Sequence, residues 1–179
     1  MNHAFKFRSS YDSITAADVV ALNETNDCVV RAFMNAASIT YTEAHAIVAT
    51  TFGRKPRQGT SGFITIMRQL IANNQPIIPG KTIHYLGKNI SGNAFTKAQA
   101  AMQGLLINTR YPKGDNRFAA YTVGKFLAHH TTGSYILVVK GHALAIRDGL
   151  IYENADQLDH LFITTGRDQR RVIAAFKIS

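Results

Sequence analysis

Apolar residues in the first half of the chain recur every three or four positions; in the last third they run together or alternate. Val29, Val30, Phe33, Met34 and Ala37 share one face of a helix for which Asp27 is the N-cap. Thr40-Tyr41-Thr42-Glu43 has the form of a capping box and opens a short helix through about residue 49. A basic loop follows over 53–59. Thr60 or Ser61 then caps a third helix, with Phe63, Ile64, Met67, Leu70 and Ile71 as its stripe. Such a stripe of aromatics and methionine is core.

Residues 73–80 hold two prolines and read as loop, 83–86 as a short strand, and 96–106 as a helix. Residues 108–117, with Pro112 and Gly114, form another loop. A fourth helix spans 121–129, weakened by Gly124. Residues 134–139 then give a buried, β-branched strand. Strands at 142–146 and 150–153 flank Arg147-Asp148-Gly149, a hairpin signal, and 171–177 closes the sheet. The expected fold is α+β over a single domain, 1–179, with a helical part at about 1–130 and an antiparallel sheet at about 131–179.

The hairpin carries a register argument. With Arg147 and Asp148 at the centre of a type I turn, Gly149 takes the left-handed bulge position and Ile146 pairs with Leu150. His142 then faces Asn154, with Cβ atoms about 5 Å apart. A two-residue Asp148 and Gly149 turn would instead pair Arg147 with Leu150. His142 would then face Ala155, and Glu153 would become a diagonal candidate. Gly149 suits the bulge, which favours Asn154.

This register matters because of Cys28, the only cysteine. A lone thiol is most often a small buried hydrophobe. Here it follows a helix cap, where the helix dipole lowers its pKa. A histidine folded alongside completes a nucleophile–base pair, and His142 is the candidate. Asn154, or Glu153 in its place, would fix the tautomer and direction of the ring. The Cys28 N–H, with the side-chain amide of Asn23 or Asn26, would receive an oxyanion. The other histidines, including His129 and His130, carry no HExxH or multi-cysteine pattern, so no metal is expected. Gly59-Thr60-Ser61-Gly62 lacks the ending of a phosphate loop. No cofactor is expected.

Asn26-Asp27-Cys28-Val29-Val30-Arg31-Ala32 opening the first helix, together with the run from Gly133 through His142 to Asn154, resembles the papain-like cysteine peptidase superfamily. More narrowly it is similar to small phage-encoded proteins of that fold. The specific part covers about a fifth of the chain. The resemblance implies a papain-like fold with Cys28 as nucleophile, His142 as general base and Asn154 as orienting residue. It implies cleavage of a peptide, isopeptide or amide bond through a thioester. The superfamily also contains acyl transferases and inactive binding modules. Where it often carries a glutamine before the cysteine, this chain has Leu22-Asn23-Glu24-Thr25; where many members end the second strand in aspartate, it has Glu153-Asn154.

Charge adds a partner class. Lysine and arginine number 20 against 11 aspartates and glutamates, a net charge of +9. The excess favours polyanionic or acidic partners, an acidic host protein or a nucleic acid, beside the protein or peptide substrate that the resemblance implies. It is scattered, with clusters only at Arg54-Lys55-Pro56-Arg57 and Arg167-Asp168-Gln169-Arg170-Arg171, both expected to be solvated. No nucleic-acid-binding motif accompanies them. One unpaired cysteine fits a reducing, cytoplasmic setting (the host cytoplasm, if phage-encoded). The first residues lack a signal-peptide core, and no apolar run is long enough to cross a membrane.

Overall fold

The computed structural model describes residues 6–9, 24, 26–88, 122–153 and 170–179. In chain order the elements are β1 (Lys6–Ser9), α1 (Cys28–Ala37), α2 (Tyr41–Phe52), α3 (Phe63–Ala72) and β2 (Ile83–Lys88). They continue as α4 (Val123–His129), β3 (Ser134–Val139), β4 (His142–Arg147), β5 (Leu150–Glu153) and β6 (Ala174–Ile178). The helix expected at 96–106 and the loop at 108–117 lie outside the described residues.

The strands form one sheet in the order β1-β5-β4-β3-β6-β2. β1 runs parallel to β5 and every other pair is antiparallel. The class is α+β. Its division differs from the expected one, because β1 and β2 come from the part of the chain read as helical. β2 is the strand expected at 83–86. β1 holds one apolar residue, Phe7, among Lys6, Arg8 and Ser9, so its sequence carries no strand signal.

Alternation gives the sheet two buried faces. Ile136, Ala143, Ala145, Tyr152, Phe176 and Ile178 join the core beneath α1, α2 and α3. Leu137, Val139, Leu144, Ile146 and Ile151 belong to a second cluster under α4. Edge-to-face rings bind the first layer: Phe33 lies 5.8 Å from Phe52 and 6.0 Å from Phe63, and Phe63 lies 5.8 Å from Phe176. Where α1 crosses β4, the facing residues are small. Ala32, Ala36 and Ala37 on the helix and Ala143 and Ala145 on the strand are all buried in this core. Helix backbone therefore approaches strand backbone closely.

Helix starts match the expectation in part. Thr40 and Glu43 form the full capping box, with Thr40 N–H donating to Glu43 Oε2 at 2.8 Å and Glu43 N–H to Thr40 Oγ1 at 3.2 Å. That helix runs beyond residue 49 to Phe52, where Gly53 turns left-handed. Neither Thr60 nor Ser61 caps α3; the N-cap is Gly62, at φ 68°, with no side-chain bond. Thr122 caps α4 instead, accepting from Lys125 N–H at 3.3 Å.

The β4–β5 turn corrects the expected register. Asp148 and Gly149 both have positive φ, 49° and 75°, and Arg147 pairs with Leu150. This is the two-residue type I′ turn, whose twist matches that of the strands it joins. A three-residue turn would have left Asp148 right-handed. Asp148 is held left-handed by its neighbours: its N–H donates to Gly133 O at 2.9 Å, and its Oδ1 accepts from Gly133 N–H at 3.0 Å. Ile146 therefore pairs with Ile151, not Leu150.

Candidate functional site

α1 and β4 lie side by side and run in the same sense. Ten helical residues span about 14 Å and six extended ones about 17 Å, so their ends nearly coincide. At one end Arg147 closes β4. Its Nη1 donates to Ser38 Oγ at 2.6 Å and to Asn35 O at 3.4 Å, while Nη2 donates to Tyr152 Oη at 2.9 Å. The guanidinium carbon sits 4.9 Å from the centroid of the Tyr152 ring. At the other end Cys28, first residue of α1, meets His142, first residue of β4.

There the His142 ring hydrogen-bonds the half-buried Cys28 thiol. Burial pushes the thiol pKa up. The His142 hydrogen bond, the backbone N–H groups of Ala143 and Val29, and the attraction of a positive imidazole outweigh it, so the net shift is downward. Strict alternation would group His142 with Leu144 and Ile146 on the far face. As the first residue after the Lys140 and Gly141 turn it stands where the ladder ends, and its ring reaches the sulfur there.

Two buried carboxylates fix the approach to Cys28. Asp27 occupies the N-cap position of α1 as expected, but its side chain makes no cap bond. Its Oδ2 accepts instead from Arg31 Nε at 2.8 Å and Tyr41 Oη at 2.7 Å. Burial, with the Asp27 carboxylate beside it, raises the Tyr41 pKa, so the phenol stays a donor. Turning Asp27 away keeps its charge matched by Arg31, and the Val29 N–H goes to the sulfur. Glu24 accepts from Arg54 Nη2 at 2.7 Å and from the Arg57 backbone N–H at 2.7 Å, and pairs with His45 Nε2 at 2.8 Å. The Arg54 bond dominates and, against burial, holds the Glu24 pKa down at about 2. Arg54 is thus a buried ion-pair partner, not part of a solvated basic loop.

The remaining site candidates separate clearly. Asn26 is exposed, at φ 55°, two residues before the thiol. Asn23 and Asn154 lie outside the described residues. Glu153 ends β5, paired with Ser9 of β1. The register that would have set Asn154 opposite His142 is not formed, since it required Ile146 to pair with Leu150. His130 stacks on Phe126 with centroids 4.1 Å apart, and burial lowers its pKa. Among the described residues no group of three metal-ligating side chains converges, and no helix is long and apolar enough to cross a membrane.

Sequence reading missed Glu24, Arg54, Tyr41 and Arg147 as supports. One signal was present: Asp27 and Arg31 stand four apart, the spacing of a helical ion pair. The bonds that tie the others to distant parts of the chain join residues 14 to 112 positions apart, which no local pattern reports. No protein-family model, curated protein or solved structure matches this chain.

Proposed function

We propose that this chain is a papain-like thiol hydrolase, in which Cys28 attacks the carbonyl of a peptide, isopeptide or other amide. One observation carries the reading: residues 114 positions apart meet as a hydrogen-bonded thiol–imidazole pair, where 142 − 28 = 114, and the thiol pKa is lowered. A structural cysteine in a core has no need of either feature.

The chemistry balances with these two side chains and water. His142 takes the thiol proton, and the thiolate forms a C–S bond to the carbonyl carbon. The C–N bond breaks as His142 returns the proton to the leaving amine. Water, deprotonated by His142, then attacks the thioester, and the acid leaves as the sulfur regains its proton. The N–H of Cys28, with Asn23 or Asn26, is the proposed oxyanion donor. An amine in place of water would make the same enzyme a transferase. For the residue that orients His142, the observed turn revises the balance. Counted in that register, position 153 falls diagonal to position 142, so Glu153 stands beside Asn154 as candidate.

A p-nitrophenyl ester provides the test. Wild type should release a burst of nitrophenol stoichiometric with enzyme and carry the acyl mass on Cys28. Cys28→Ala should show neither, and His142→Ala should acylate about 100-fold more slowly. Acylation at the same rate in His142→Ala, or acyl mass on another residue, overturns the reading.

A further inference from the structure

Of the described helices, α1, α2 and α4 each follow a residue whose side chain could cap them, and α1 is left uncapped. Thr40 and Thr122 have extended backbones, φ −68° and ψ 159° for the first and φ −88° and ψ 162° for the second. Each hydroxyl accepts a first-turn N–H. Asp27 belongs to a stronger capping type than threonine. Its carbonyl accepts the first helical bond, from Arg31 N–H at 3.0 Å, yet its side chain makes no cap bond. Its backbone differs too, at φ −97° and ψ 21°, and Asn26 before it is left-handed at φ 55°.

Two donors hold the carboxylate away. Arg31 Nε reaches Asp27 Oδ2 at 2.8 Å and Tyr41 Oη reaches the same oxygen at 2.7 Å. Arg31 rides on α1 itself, so its bond ties Asp27 to the helix that Asp27 begins. Tyr41 belongs to α2, whose start the Thr40 and Glu43 box fixes. It is 1% exposed and packed in the core, so its hydroxyl is a fixed point supplied by another element.

From this contrast we infer that Tyr41 is a positioning residue for the thiol: its hydroxyl holds the Asp27 carboxylate out of the capping position and leaves the first-turn N–H groups of α1 to the sulfur and to an oxyanion. For the oxyanion the inference rests on the hydrolase reading; for the sulfur it rests on the thiol–imidazole pair alone. A capping carboxylate accepts from the second or third N–H of its helix, here Val29 or Val30. Val29 N–H is the one that bonds the sulfur. Once released, Asp27 competes for that hydrogen and brings a negative charge beside the sulfur, and both effects oppose the thiolate. Among the described residues, the other charged or titratable groups around this cluster are Arg31 on α1, His45 on α2, Glu24 with Arg54, and His142 on β4. Removing one hydroxyl leaves all of them in place.

Tyr41→Phe removes the hydroxyl and keeps the ring. The pH profile of Cys28 alkylation by iodoacetamide should then move upward by about one unit, which slows alkylation at pH 6 about tenfold. In an Asp27→Ala background there is no carboxylate to release, and the same substitution should move the midpoint by less than about 0.3 unit. A merely structural tyrosine would shift both backgrounds alike. A midpoint unmoved in Tyr41→Phe, or moved equally with and without Asp27, overturns the inference. A crystal structure of Tyr41→Phe reads the same event without the second substitution. An Asp27 carboxylate oxygen should lie within about 3.2 Å of the Val29 or Val30 nitrogen; a carboxylate still on Arg31, with the first turn as in wild type, overturns the inference. A shift that depends on Asp27, in a protein that gives no nitrophenol burst, upholds the inference for the sulfur and counts against the hydrolase reading alone.

Discussion

At the residue scale, the thiol depends on how charges are matched around it. Two carboxylates stand one and four positions before Cys28, and an unbalanced negative charge there would oppose thiolate formation. Each is matched by its own guanidinium, Arg31 for Asp27 and Arg54 for Glu24. Glu24 has a consequence for stability. Its pKa falls from the ordinary 4.5 to about 2, so the folded state prefers the charged form. The resulting stabilisation is complete above pH 4.5 and is lost as pH falls toward 2. Glu24→Gln should cost about 3 kcal/mol at pH 7, because Arg54 stays buried beside a neutral partner. It should also flatten the dependence of urea-unfolding stability on pH between 4.5 and 2. A slope unchanged in the variant would mean that other carboxylates carry it.

At the element scale, α1 and β4 act as two rods of nearly equal length, clamped at one end by Arg147 and meeting at the other as Cys28 and His142. Alanines between them set the separation. The elements themselves were largely legible, because 3.6-residue and two-residue periods are local properties of the chain. The capping box at Thr40 and Glu43 was read directly, and formed. The register of β4 on β5 was misread for an identifiable reason. Asp-Gly is a strong type I′ signal, but a glycine after aspartate also suits a bulge, and the choice turns on the contacts of Asp148 with Gly133. Gly149 now carries two constraints, φ 75° and a Cβ that would lie 3.2 Å from Thr131 O. Gly149→Ala should therefore destabilise the fold by about 1–2 kcal/mol in urea titration. A neutral effect would argue against a left-handed Gly149 packed on Thr131.

At the scale of the whole molecule, six strands place the thiol–imidazole pair at one end of the sheet. The meeting of Cys28 with His142 was anticipated from residue types and order along the chain. The ion pairs beneath it were not, since Glu24 with Arg54 and Ser38 with Arg147 are joined only by tertiary folding. Arg54 shows the limit plainly: in sequence it belongs to a basic run, and in the fold it is buried. Whether imidazole lowers the thiol pKa is read directly by the pH dependence of Cys28 alkylation by iodoacetamide. Wild type should titrate with a midpoint below the ordinary thiol value of 9.0, and His142→Ala should move that midpoint upward. Coincident profiles, both centred at or above that value, would contradict it.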